Sequence, residues 1–455
     1  MRHTLWRLAA ALSLLAAGRP APAARRPRYG GTLRVEMRAT LGTLDPSEPG
    51  EAAARLAPLV FDRLVRIDPH GRPQPALAVS WTHDPDARRW QFRLRPDVRF
   101  HDGSPLVAGP ALAAALETSL GGLSVTASGG GLTVESRRPV PDLPLLLGTR
   151  GWVFARTAEG NAVGTGPFRL VRLDSGRHAS FAANDDYWDG RPFLDAVEVE
   201  MGRPSREQWI DLEVGKADFV ELAPGDARRA RASDRPVWSS SPVIVLALVF
   251  HDGRPADPRL REALALSIDR AAIHNVLLQR RGDAAGGLLP QWLSGYVFLF
   301  SSAQDLARAR RLAAETAPAQ RSLSLGYDPA EPLARSIADR IAVNARDAGI
   351  GVQTAPLGPR ADARLAVFHI ASRDPAQTLA EIAGSLGFRE WNRQAAPELL
   401  YAAERSLLEG FRVVPLFHLP EDFGVAPRVK CWRPPAVGPL GAWDFAGLWL
   451  DGGRP

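Results

Sequence analysis

Residues 322–354 constrain the fold of this chain more than any other stretch. Ser322 to Tyr327 predicts one strand and Ile350 to Thr354 another. Between them Leu333, Ile337 and Ile341 recur every four residues and so share one helical face. Pro332 suits the first helical turn, where its missing amide hydrogen is not needed, and Gly349 suits the residue just past the last turn. Strand, helix and strand at this spacing require a crossover, so the two strands run parallel.

The rest of the chain adds further α/β elements. Thr32 to Met37 alternates as a strand, and Leu59 to Ile67 suits either strand or helix before a turn at residues 68–71. Val79 to Thr82 and the alternating Trp90, Phe92 and Leu94 predict a hairpin about Asp84-Pro85-Asp86. Ala108 to Leu120 reads as a helix, and Gly129-Gly130-Gly131 as a hairpin loop before a strand at Leu132 to Glu135. Asp257-Pro258 opens another helix with a capping acid, its apolar stripe running through Leu260, Leu264, Ile268 and Ala271. With 455 residues, the length suits two or three domains.

The charge of +6 suggests a nucleic-acid or anionic membrane partner until it is located. Residues 1–23 carry Arg2 and Arg7, an apolar run from Leu8 to Ala17 and the small-x-small end Ala21-Pro22-Ala23, the pattern of a secretory signal. Residues 24–28 read as a flexible basic lead-in. No acid precedes residue 29, so residues 29–455 hold 50 basic and 50 acidic side chains and are formally neutral. No nucleic-acid partner is expected. Cys431, the single cysteine, excludes an internal disulfide and a Cys-based zinc site, reads as a partly buried thiol, and is not a lipid-anchor cysteine near the cleavage point.

Catalytic motifs are missing. The sequence has no His-Glu-x-x-His, no Gly-x-Ser-x-Gly and no Walker A loop. Gly164-Thr165-Gly166-Pro167 lacks the third glycine of a phosphate loop, and its proline removes a donor, so it reads as a turn. His101-Asp102-Gly103 also reads as a turn, since adjacent side chains point apart and no activated serine accompanies them. Asp185-Asp186 and Glu421-Asp422 read as solvated or capping acids. The nine histidines give no ligand spacing, so neither a metal nor a cofactor is expected. An exported, lobed α/β chain without catalytic motifs suggests ligand capture in a cleft rather than an enzyme.

Taken in order, a set of segments resembles the extracytoplasmic solute-binding proteins of family 5, the peptide/nickel class of ABC importers. They are Tyr29 to Val35, Thr43-Leu44-Asp45-Pro46, Val60 to Arg66, Pro75 to Trp81, Phe92 to Arg95 and Val98 to Leu106. Val163 to Phe168, Asn184 to Trp188, Leu194 to Val197, Asp257 to Arg270 and Val413 to His418 continue the series. The resemblance implies a two-lobed periplasmic binding protein, a type II-like clamp with mixed sheets. Lobe one would combine 29–57, 164–245 and 430–455, with 58–163 as an attached subdomain, and 246–429 would form lobe two. It further implies capture of a peptide-like or other small polar solute by a periplasmic monomer, and delivery to an ABC permease and ATPase complex. Ligand-binding positions implied are Asp45, Phe368, His369, Arg373, Asp374, Trp391 and His418. Ala371 falls where peptide binders carry the aspartate that anchors the peptide amine, Phe250-His251 replaces Phe-Asn, and the region between Leu386 and Arg405 is shortened. These departures leave one alternative, a transport-degenerate clamp acting as a signalling or scaffold partner, and scattered Ser, His and Asp residues leave a lesser one, a secreted hydrolase.

Overall fold

The computed structural model describes residues 26–45, 51–68, 70–120, 123–150, 152–156, 162–233, 235–251, 255, 257–295, 300–359, 361–370, 372–388, 397–432 and 443–452. Residues 1–23, with the expected signal, lie outside this set, as do Ala371 and Trp391.

An eleven-stranded mixed sheet organises the molecule. Its order is Phe168–Asp174, His178–Ala183, Ala196–Glu200, Thr32–Glu36, Phe219–Leu222, Val413–Val425, Val237–Phe250, Ala363–His369, Ser322–Tyr327 and Gly351–Pro356. Asp283–Ala284 pairs off this path with Val413–Val425. The predicted crossover is present: Ser322–Tyr327 pairs parallel with Gly351–Pro356, and helix Ala334–Asp347 joins them. Ile337 and Ile341 are fully buried beneath it. The helix begins later than expected. Leu333, in a left-handed conformation (φ 65°), precedes its first turn, and Pro332 lies outside it. Asp257 caps Pro258–Ser267 by accepting the Arg259 amide hydrogen at 2.9 Å, but that helix stops at Ser267 and leaves Ala271 exposed. A second cap breaks the stripe, because the Asp269 side chain accepts from the Ala272 amide.

Two long strands, Val237–Phe250 and Val413–Val425, belong to both halves of the sheet. Asp422 to Val425 pairs with Phe219–Leu222 on one side, whereas Ile244 to Phe250 pairs with Ala363–His369 on the other. Where they change neighbours the register slips twice, and Pro242 stands opposite Pro420. Neither proline has an amide hydrogen, so the ladder is weakest at this crossing.

Separate apolar cores flank the crossing. One gathers Leu33, Phe168, Phe181, Phe219 and Phe423 with Trp443 and Phe445 from the chain's end. Phe219 is its centre, with ring centroids of Phe423, Trp432, Trp443 and Phe445 at 4.7 to 5.4 Å. Two more cover opposite faces of the far half-sheet, one with Leu325 and Ile341, the other with Phe368 and Leu379. Another lies within residues 64–153, where Ala78–His83 and Arg89–Leu94 form the expected hairpin, with Trp81 opposite Phe92.

Gly164 and Gly166 explain the glycine-rich turn without a phosphate. A Cβ on Gly164 would meet the Val60 carbonyl oxygen at 1.8 Å, and one on Gly166 the Val60 carbonyl carbon at 2.7 Å. His101 closes the same corner, its amide donating to Gly164 O at 2.9 Å and its ring Nε2 bonded to Gly166 O at 2.9 Å. Burial lowers the pKa of that imidazole, and Asp102 turns instead to the Ser104 amide and hydroxyl. Gly164→Ala is expected to cost roughly 3 kcal/mol or more, read as a lowered thermal midpoint. Gly384→Ala, in a helix with open space around it, is expected to hold or slightly raise the midpoint.

Candidate functional site

A cavity of about 370 Å³ lies at the crossing of the two long strands. From the near half come Arg38, Arg55 and the strand end Glu221, Leu222. The far half supplies Arg281, Asp328, Glu331, Leu333, Arg364 and His369. Pro420, Glu421 and Asp422 form part of its wall from the crossing itself. Apolar walls of Ile244, Leu246, Leu278, Ile337 and Val367 complete it.

Charge, rather than any nucleophile, marks the site. Arg55 is 2% exposed on helix Glu51–Val60 and sits between Glu221 and Glu421, its Nη2 donating to Glu421 Oε1 at 2.9 Å. Arg38 donates its amide to Glu221 Oε2 at 2.7 Å and places its Nε 3.2 Å from the same atom. Its Nη1 then reaches across the cavity to Glu331 Oε2 at 3.1 Å. Beside this group, Asp422 accepts from Arg231 at 3.1 Å and from Arg281, while Ser239 donates to it at 2.5 Å. Glu421 and Asp422 are therefore buried, ion-paired groups, not the solvated or capping acids expected. A carboxylate withdrawn from water is tolerated only with such partners. Among the described lining residues there is no serine, threonine, cysteine, tyrosine or lysine. Nor does any group of three or more His, Cys, Asp and Glu among the described residues stand ready to hold a metal ion.

The sequence-based candidates are dispersed. His369 lines the cavity. Phe368, its neighbour on an alternating strand, points into the apolar core with Leu379 and Ile382. Asp374 caps helix Pro375–Ser385 through the Ala376 amide at 2.9 Å. Arg373 lies against Gly71, where an added Cβ would touch its Cδ at 2.8 Å. Asp45 is half-buried outside the cavity wall, and Trp391 lies outside the described residues. His418 is buried, with Nε2 bonded to Gly287 O at 3.0 Å, and does not line the cavity. Cys431 is exposed rather than partly buried.

What sequence reading missed are Arg38, Arg55, Glu221, Arg281 and Glu331. One signal was available for Arg55, a lone cation within the apolar run Ala52-Ala53-Ala54-Arg55-Leu56-Ala57. A helix that buries this face must bring its guanidinium a counter-charge.

Comparison with known proteins places this geometry. The family model for bacterial extracellular solute-binding proteins, family 5, middle region, matches residues 72–115 and 141–377. The Escherichia coli nickel-binding periplasmic protein is 25% identical over 342 residues, 65% of each chain. The Staphylococcus aureus nickel-binding protein NikA is 24% identical over 240 residues, 48% of each. The chain thus spans about half to two thirds of the length of these curated relatives. The oligopeptide-binding protein AppA of Bacillus subtilis, solved with a nonapeptide, superposes with a TM-score of 0.80 at 16% identity, over 94% of this chain and all of that one. The chain belongs to the family 5 bacterial extracellular solute-binding proteins, and its fold is theirs.

Burial lowers the pKa of His418 to about 4. The unfolded chain takes up that proton near pH 6.5 and the folded one does not, so stability falls as pH drops from about 6.5 towards 4. His418→Gln is expected to flatten this part of a plot of thermal midpoint against pH.

Proposed function

We propose that this family member captures a small polar solute, peptide-like or otherwise, in the cavity between two lobes and delivers it to an ABC permease and ATPase complex. The carrying observation is position: the charged cavity lies where two long strands shared by both halves break register at Pro242 and Pro420. A clamp needs a soft crossing with its ligand groups on either side of it, so that contacts made only in the closed form drive closure. We place the hinge at 240–243 and 420–421, close to the 245/246 lobe boundary read from the sequence but about eight residues before the one at 429/430. The subdomain at 58–163 stays attached to lobe one. Trp292 from the far half donates to Pro242 O at 2.9 Å, tying that half to the hinge.

The family consists of binding proteins, and a cavity without a hydroxyl, thiol or amine nucleophile among its described residues supports capture without turnover. The relatives' names span nickel and peptides, which supports a small polar solute without choosing between them. Export as a periplasmic monomer goes with this reading. No helix among the described residues is long and apolar enough to cross a membrane.

Native mass spectrometry of the purified protein, followed by small-angle scattering with the solute removed and restored, tests the proposal. A co-purifying small molecule and a smaller radius of gyration on its return are expected. An unchanged radius with every solute offered would sink the transport clamp and favour the signalling or scaffold alternative.

A further inference from the structure

The contact between Arg38 and Glu331 carries an inference about which solutes the cavity accepts, and it rests on the clamp reading above. Arg38 is gripped from its own side. Glu221 takes its amide hydrogen at 2.7 Å and lies 3.2 Å from its Nε, which aims the outer edge of the guanidinium across the cavity. That edge meets a carboxylate from the opposite half, Glu331 Oε2 at 3.1 Å from Nη1. The two side chains are 21% and 29% exposed, enough for the contact to be exchanged and little enough for an unpaired cation there to be costly.

Pairing separates Glu331 from the other acids. Glu221 and Glu421 partner Arg38 and Arg55, and Asp422 is shared by Arg231 and Arg281. Glu331 is a second carboxylate on Arg38, which Glu221 already holds. It is also carried differently, on the turn between strand Ser322–Tyr327 and helix Ala334–Asp347. Asp328 shapes that turn by accepting the Ala330 amide at 2.9 Å, and Leu333 closes it at φ 65°. A leucine held in the left-handed region costs about 1 kcal/mol or more, so the turn stores strain where it faces the cavity.

We propose that Arg38 is the residue that recognises a carboxylate on the solute, and that Glu331 is a built-in counter-ion which that carboxylate displaces. Exchange of one carboxylate for another leaves the charge of the buried cluster unchanged. A neutral or cationic group at the same place leaves the outer edge of the guanidinium unpaired once Glu331 withdraws. The pair thus favours small solutes bearing a carboxylate, and Glu331 sets a threshold that weak anions do not pass. The planar guanidinium suits this task because it holds carboxylates in a defined orientation.

Calorimetric titration of the solute-free protein with L-alanyl-L-leucine, L-histidine and succinate, each beside its carboxamide, tests the assignment. Free acids are expected to bind more tightly than amides. Glu331→Gln is expected to tighten the acids about fivefold and leave the amides unchanged. Glu331→Asp should behave like the parent, and Arg38→Gln should erase the preference for acid over amide. Circular dichroism and melting of each variant confirm that it folds. Equal affinity for acids and amides, weaker acid binding in Glu331→Gln, or no binding of any free acid overturns the assignment. So does a co-purified solute that lacks a carboxylate, an outcome that leaves the clamp itself standing; a protein that never compacts with solute removes the clamp first.

Discussion

Everything distinctive in this molecule depends on two strands that serve two half-sheets at once. Val237–Phe250 and Val413–Val425 lie side by side through the middle of the sheet, the first taking Ala363–His369 as its outer neighbour over its second half and the other Phe219–Leu222 near its end. A continuous ladder would make the molecule one rigid slab. Pro242 opposite Pro420 interrupts it, because neither residue offers an amide hydrogen and the register slips on both sides. The two halves are then joined by covalent chain and side-chain contacts more than by backbone hydrogen bonds at that point. Such a joint suits hinge closure, in which a few residues absorb the change of angle.

The same joint carries the charges. Glu421 and Asp422 directly follow Pro420, and both are buried because the strands around them are. Arg55 from one half and Arg281 from the other answer them. These pairs contribute little to net stability, since burying an ion costs about what its partner returns, yet removing one partner leaves a costly orphan. In the clamp we propose, they would dictate which groups a solute meets: a polar solute would enter by exchange or by fitting between the pairs, with the apolar walls taking the remainder.

Much of the fold was legible in the sequence. The crossover at residues 322–354 followed from period and punctuation, and the hairpin Ala78–His83 with Arg89–Leu94 from strict alternation. Errors occurred where a local signal competed with the tertiary setting. The apolar stripe of Leu260, Leu264 and Ile268 continued to Ala271 on paper, but Asp269 starts a new cap and turns the chain. Pro332 fitted a first turn, yet Leu333 takes the left-handed conformation and the helix starts after it. The site was far less legible. Of the positions taken from the family resemblance, the structure puts His369 in the cavity wall and gives Asp374, Phe368 and His418 capping or packing surroundings.

The sequence by itself determined the class of fold, the neutrality of residues 29–455 and the lack of a local catalytic motif. Each of these is written in composition or in spacings of a few residues, where neighbours along the chain are neighbours in space. Tertiary structure alone decided the site. Arg38 meets Glu331 across 293 positions and Arg55 meets Glu421 across 366. Pairings at that separation follow from how the two shared strands pass between the half-sheets. No period or motif encodes them, because the chain returns to the same place only after both lobes have been built.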